Sequence, residues 1–148
     1  MTTSTPLPAT AVGGATTVGE AMEPPQLQIR DDVIVDRALD ILHGAGVDHL
    51  LVRTGDGRCA GVLTRAQLAP YQARSWYTER IAVRDILQDA GPFARPQLPV
   101  TAAAVAMRAR RLRAWPVVDA EGRAVGVLTV ERLRAALAAP PAGFSTVA

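Results

Sequence analysis

The sequence has no lysine; all sixteen of its basic residues are arginine. Against 14 acidic residues they leave a formal charge of only +2, too little to argue for a nucleic-acid partner by itself. Arginine grips phosphate through paired N–H groups, but the abundance of Ala, Gly and Pro also fits the arginine bias of a GC-rich genome. One cysteine, Cys59, excludes an intramolecular disulfide and points to a reducing, cytoplasmic compartment. The only histidines, His43 and His49, make no zinc set with that cysteine at any recognised spacing, so no metal site is expected. Cys59 itself reads as a small buried hydrophobe. Aromatic residues are 4% of the chain and hydrophobic residues 49%, so the core has to be aliphatic. No apolar run approaches the roughly 20 residues of a membrane helix. No basic region followed by an apolar core marks a secretory signal. The few serines, Ser4, Ser75 and Ser145, fall outside the patterned stretches, and the carboxylates scatter over turns and caps. No catalytic constellation can be assembled from them, and none is expected. Gly55-Asp56-Gly57 has neither the lysine nor the spacing to Gly61 of a phosphate loop, and reads as a hairpin turn.

What is present is a repeat. Arg111 to Leu133 reads as a strand, a tight turn, a strand and the start of a helix. The same pattern runs from Gly46 to Leu68, 65 residues earlier, without a gap. Val52, Gly57, Arg58, Gly61, Val62, Leu63, Thr64 and Leu68 recur as Val117, Gly122, Arg123, Gly126, Val127, Leu128, Thr129 and Leu133. Composition alone would give roughly two such identities, so the chain is an internal duplication. The offset also carries Val18–Met22 onto Val83–Leu87, which makes the unit larger than one hairpin.

In order, residues 1–16 read as a disordered leader. Residues 17–71 form the first repeat, 72–80 a linker, 81–138 the second repeat and 139–148 a flexible tail. Thr17 or a neighbour is placed to cap a short helix, Val18 to Met22, and Leu27 to Ile29 forms a strand. Asp32 is the expected N-cap of a helix over 33–44, stopped by Gly44 or Gly46. Hairpin strands follow at His49 to Arg53 and Arg58 to Leu63, then a helix from Arg65 to Tyr71. The linker region, with Tyr71, Trp76 and Tyr77, holds most of the aromatics. The second unit repeats the order: a helix from Ile81 to Gln88, one over 100–111 with Pro99 in its first turn, a hairpin, and a closing helix from Val130. Each unit reads helix, strand, helix, strand, strand, helix. About 60 residues with three short strands cannot cover both faces of a sheet. An α/β (α+β) architecture follows, with two units packed sheet to sheet about a pseudo-twofold axis and helices on the flanks. Such packing leaves two clefts between the repeats, a normal place for a small ligand.

The run Trp115-Pro116-Val117-Val118-Asp119-Ala120-Glu121-Gly122-Arg123-Ala124-Val125-Gly126-Val127-Leu128-Thr129 and the residues after it resemble the signature half of a cystathionine-β-synthase (CBS) domain. Two such units resemble a tandem CBS pair, or Bateman module, over about 18–138. The resemblance implies a regulatory module without catalysis, a flat homodimer, and clefts that take an adenosine-containing ligand such as AMP, ATP or S-adenosylmethionine, with no resident cofactor. Helices around Ala38–Leu42 and Ala103–Met107, or the closing helices, are the expected dimer faces.

In that family the closing turn reads Gly, two apolar residues, Thr or Ser, two variable residues and Asp, and the hydroxyl and carboxylate hold ribose and phosphate. The copies here are Gly61-Val62-Leu63-Thr64 with Gln67, and Gly126-Val127-Leu128-Thr129 with Arg132. Both Thr are kept and both Asp are replaced. Gln67 offers a neutral acceptor and Arg132 only donors, so the first cleft is expected to keep more ribose recognition and the second to prefer longer phosphates. Both Thr are equally suited to cap the closing helices. His49 and Leu50, and Arg113, Trp115 and Pro116, at the starts of the two hairpins, complete the candidate ligand contacts. Trp115 can pave an adenine pocket or serve the core. The cluster Arg108, Arg110, Arg111 and Arg113 can meet polyphosphate or simply end a solvated helix. No nucleic-acid-binding signature accompanies it. The alternative is a structural or protein-interaction module with degenerate nucleotide sites.

Overall fold

The computed structural model describes residues 16–25, 27–72, 80–87 and 91–138. Most of the leader, the linker with Trp76 and Tyr77, and the tail lie outside them. The elements are α1 (Val18–Ala21), β1 (Gln28–Arg30), α2 (Val35–Ala45), β2 (His49–Arg53), β3 (Cys59–Thr64), α3 (Arg65–Leu68) and a 3-10 turn (Ala69–Tyr71). The second half has α4 (Val83–Ile86), α5 (Val100–Arg110), β4 (Ala114–Val118), β5 (Ala124–Thr129) and α6 (Val130–Ala138).

Capping chemistry explains where several helices begin. Thr17 accepts from the N–H of Glu20, and the Glu20 carboxylate accepts from the N–H of Thr17, so two backbone donors at the start of a one-turn helix are satisfied. Asp32, the expected cap of α2, instead pairs with Arg30 at 3.2 Å. The N-cap is Ile34, and the N–H of Val35 donates to the carbonyl of Ile81 at 3.0 Å. A neighbouring backbone has replaced the side-chain cap. Pro99 stands at the N-cap of α5 rather than inside it.

In the first sheet β1 lies parallel to β2, and β2 is antiparallel to β3. The second sheet keeps only the β4–β5 hairpin. Its third strand shrinks to one residue, Ala94, which pairs with Val117 as Ile29 does with Val52. Pro92 and Pro96 flank it and supply no N–H to extend a ladder. The two hairpins face each other through a buried cluster of Leu51, Ala114 and Val127. At the turn end, the N–H of Cys59 donates to the carbonyl of Gly122 at 2.8 Å.

The opening helices are exchanged between the repeats. Val18 and Ala21 belong to the core of the second repeat, with Val100, Ala103, Trp115 and Leu128. The N–H of Val18 donates to Leu98 and that of Gly19 to Pro96, at 2.8 and 2.9 Å. Val83 of α4 sits in the first repeat's core, with Val35, Leu42, Leu50 and Leu63. Its N–H donates to Val33 and that of Arg84 to Asp31, at 2.7 and 3.0 Å.

In the helices expected to carry a dimer face, Ala38, Leu42, Ala103 and Met107 are buried inside their own repeats, and the large apolar side chains that α5 and α6 leave exposed are Val105 and Leu137.

Candidate functional site: the clefts between the repeats

A cavity of about 830 Å³ opens where β3 and α3 of the first repeat meet residues 110–116 of the second. Gly61, Val62, Thr64 and Gln67 line one side of it, and Arg113, Trp115 and Pro116 the other. The end of α4, with Ile86 and Leu87, and then Phe93 close the apolar part. Trp115 serves both roles open to it: it is 5% exposed within the second core and also walls the cavity. Its indole N–H donates to the carbonyl of Pro92 at 3.1 Å, and the Arg110 guanidinium lies over its ring at 5.8 Å. Arg110 donates to the same carbonyl at 2.7 Å. The ring is therefore fixed in place before anything binds.

The polar side of the cavity differs from the sequence expectation. Thr64 is the N-cap of α3, and its hydroxyl oxygen accepts from the N–H of Gln67 at 3.1 Å. The side-chain carbonyl of Gln67 accepts from the Thr64 N–H at 2.8 Å and from the Thr64 hydroxyl at 3.3 Å. Both lone pairs of that carbonyl are engaged, so Gln67 has no free acceptor to offer a ribose diol, and only its amide N–H groups are left to donate. Arg110, Arg111 and Arg113 line the same space. The polar side of the cleft is rich in hydrogen-bond donors.

A second hollow of about 720 Å³ adjoins the first, sharing Thr64 and Arg113 with it. His49 and Thr129 line it, together with Asp48, Glu23, Glu131 and Arg65. Gly126, Val127, Arg132 and Leu50 do not. Leu50 is fully buried in the first core. Val127 is covered by Glu23, which pairs with it through both backbone bonds at 2.8 and 2.9 Å. Met22 and Glu23 lie directly on Gly126. Arg132 donates to the carbonyl of Met22 at 3.2 Å, and its Nε is buried without a partner among the described residues. Thr129 caps α6 by accepting from the Arg132 N–H at 3.1 Å, and its hydroxyl lies 3.4 Å from the Glu23 carboxylate. The chain's own Met22–Glu23 segment thus covers the Gly126–Val127 end of the second cleft and leaves the hollow beside Thr129 and His49.

Sequence reasoning left Arg111 between a solvated helix end and a phosphate contact. Its signal lay in the repeat itself. Gly46, 65 residues earlier, ends α2 in the left-handed conformation, and Arg111 ends α5 in the same way. The chain leaves the helix there, which carries Arg111 and Arg113 onto the cleft wall.

Cys59 lies at the start of β3, and burial pushes its thiol up to about 11. Since the thiolate is the reactive form, a disulfide reagent at pH 8 should label Cys59 about 100-fold more slowly than an unburied cysteine. A rate equal to that of free cysteine in the folded protein would contradict the burial. Among the described residues no group of three or more His, Cys, Asp or Glu could hold a metal ion, and no helix is long and apolar enough to cross a membrane.

The model of the CBS domain family matches residues 18–73 and 83–139. The chain belongs to the CBS domain family. It is a tandem CBS pair, and solved CBS pairs share its fold. CBSX2 from Arabidopsis thaliana is 26% identical, with 80% of this chain and 91% of that one covered at a TM-score of 0.69. The cytosolic domain of the Mg²⁺ channel MgtE, in complex with ATP, is 26% identical, with 80% and 47% covered at a TM-score of 0.67. A curated relative, the homoserine O-acetyltransferase of Methanococcoides burtonii, is 29% identical over 117 residues, 78% of this chain. The CBS pair spans 23% of the length of that relative.

Proposed function

We propose that this CBS pair is a regulatory module that senses an adenosine nucleotide in the first cleft and performs no catalysis of its own. The observation that carries the reading is the composition of that cleft. Val62, Phe93 and Trp115 give it apolar walls of the kind a base needs, and Arg111, Arg113 and the Gln67 amide give it donors for phosphate. The ATP complex of the MgtE domain supports nucleotide as the ligand class. The loss of a free acceptor at Gln67 argues that phosphate contributes more than ribose. The second cleft, covered by Met22 and Glu23, favours one ligand per chain rather than two.

Titration calorimetry with adenosine, AMP and ATP tests this. ATP should bind with a stoichiometry of one per chain. It should bind at least tenfold more tightly than adenosine, because one charge-assisted bond is worth about 1.5–3 kcal/mol, or about 10- to 100-fold in affinity. Equal affinity for adenosine and ATP would remove the role given to the arginines. Two equivalent sites would remove the closure of the second cleft. No binding of any of the three would favour the other reading, an interaction module with degenerate clefts, to which the capped Gln67 and the covered Gly126 already lend some support.

A further inference from the structure

Arg111 is the one non-glycine residue with a positive φ among the described residues, at φ 55° and ψ 45°. A side chain there crowds its own backbone, which is why glycine takes this helix-ending position so often. The first repeat obeys that preference: Gly46 holds the equivalent place at φ 66° and ψ 30°. The second repeat keeps the conformation and gives up the glycine. Nothing in the packing of Arg111 explains this. It is exposed, and its guanidinium has no hydrogen bond or ion pair to any described residue. What it does have is a place on the wall of the first cleft, beside Arg113 and across from Gln67. The counterparts of Arg111 and Arg113 in the first repeat, Gly46 and Asp48, line the second hollow instead and bring no positive charge to it.

We infer that Arg111 is a specificity-determining residue of the first cleft, retained in a strained conformation because its charge reads the ligand's phosphates. The inference rests on the cleft being a nucleotide site, and it goes further by naming the residue that selects for phosphate. It requires stability and binding to move in opposite directions. Relieving a left-handed residue stabilises a fold, whereas removing a phosphate contact weakens a complex.

The test uses wild type, Arg111→Gly, Arg111→Lys and, as a control, Arg108→Ala, an exposed arginine of α5 that does not line the cleft. Ligand-free melting temperatures are measured, and then affinities for adenosine, ATP and inorganic tripolyphosphate. Arg111→Gly should melt about 2–6 °C higher than wild type and bind ATP and tripolyphosphate about tenfold or more weakly, with adenosine unchanged. Arg111→Lys should keep the wild-type melting temperature and most of the ATP affinity, and Arg108→Ala should change neither. Wild-type ATP affinity in Arg111→Gly, whatever its melting temperature, would overturn the inference and leave the nucleotide reading standing. If wild type binds tripolyphosphate but neither adenosine nor ATP, the nucleotide reading falls while Arg111 survives as an anion contact, provided that Arg111→Gly loses it. If wild type binds none of the three, both fall.

Discussion

Val18→Asp should lower the melting temperature by about 10–20 °C, and it should do so by loosening the second repeat rather than the first. Val18 is fully buried, in a cluster that includes Val100, Met107, Trp115 and Leu128. A carboxylate there has no partner, and an unpaired buried charge costs about 3–5 kcal/mol. That is a large share of the roughly 5–15 kcal/mol that holds a typical domain together. The informative part is where the loss appears. Hydrogen exchange should quicken in α5, β4 and β5, while β1 and β2, far along the chain from them but close to residue 18 in sequence, should keep their protection. Val83→Asp should do the reverse and expose α2, β2 and β3, because Val83 is fully buried against Val35, Leu42 and Leu63. Loosening confined to each mutated residue's own half would mean that the helices are not exchanged.

Gly126→Ala should cost about 3–5 kcal/mol, a fall of roughly 10–15 °C for a chain of this size. A β-carbon at this position would stand 2.5 Å from the Met22 sulfur and 2.6 Å from the Glu23 carbonyl oxygen. The sulfur can swing away; the backbone oxygen cannot do so without breaking the pair of hydrogen bonds between Glu23 and Val127. Exchange of the Glu23 and Val127 amides should therefore accelerate together. Gly44→Ala is the control, since a β-carbon there meets nothing within 4 Å, and it should be neutral or slightly stabilising in the exposed face of α2. If both variants melt alike, the close contact over Gly126 is not a constraint on the folded state.

The parts of the fold that were readable from the residues are those governed by short-range rules. A short apolar run beside a turn located β2 as His49–Arg53, and a cap at Thr17 followed from its side chain. The exchange of α1 and α4 was not readable. Two repeats with the same apolar pattern offer equivalent docking faces, and periodicity cannot say which copy a helix joins. The loss of the third strand in the second unit had a visible cause, the prolines at 92 and 96, whose effect depended on Ala94 being the residue that pairs. In the cleft, residue type alone made Gln67 an acceptor. The capping box of α3 turned that acceptor inward, and this depends on a rotamer that no spacing reveals. Leu50 and Val127 were placed by their neighbours in sequence, yet both are fully covered. In each case the miss concerns a long-range contact or the direction of one side chain.

The exchange of opening helices has a consequence for how the protein is made. α1 leaves the ribosome ahead of the rest of the pair, but its partners, Pro96, Leu98 and Val127, come late. At about 5–20 residues per second, the roughly one hundred intervening residues take several seconds to emerge. Through that interval Val18 and Met22 have no place to be buried, and the first repeat lacks Val83, the residue that completes its own interior. The first half is completed once α4 has emerged, whereas α1 stays uncovered until the second half follows. The chain therefore becomes native in two steps, and a ribosome stalled between the repeats would hold out a half-molecule with the apolar surface of α1 and of the first interior exposed.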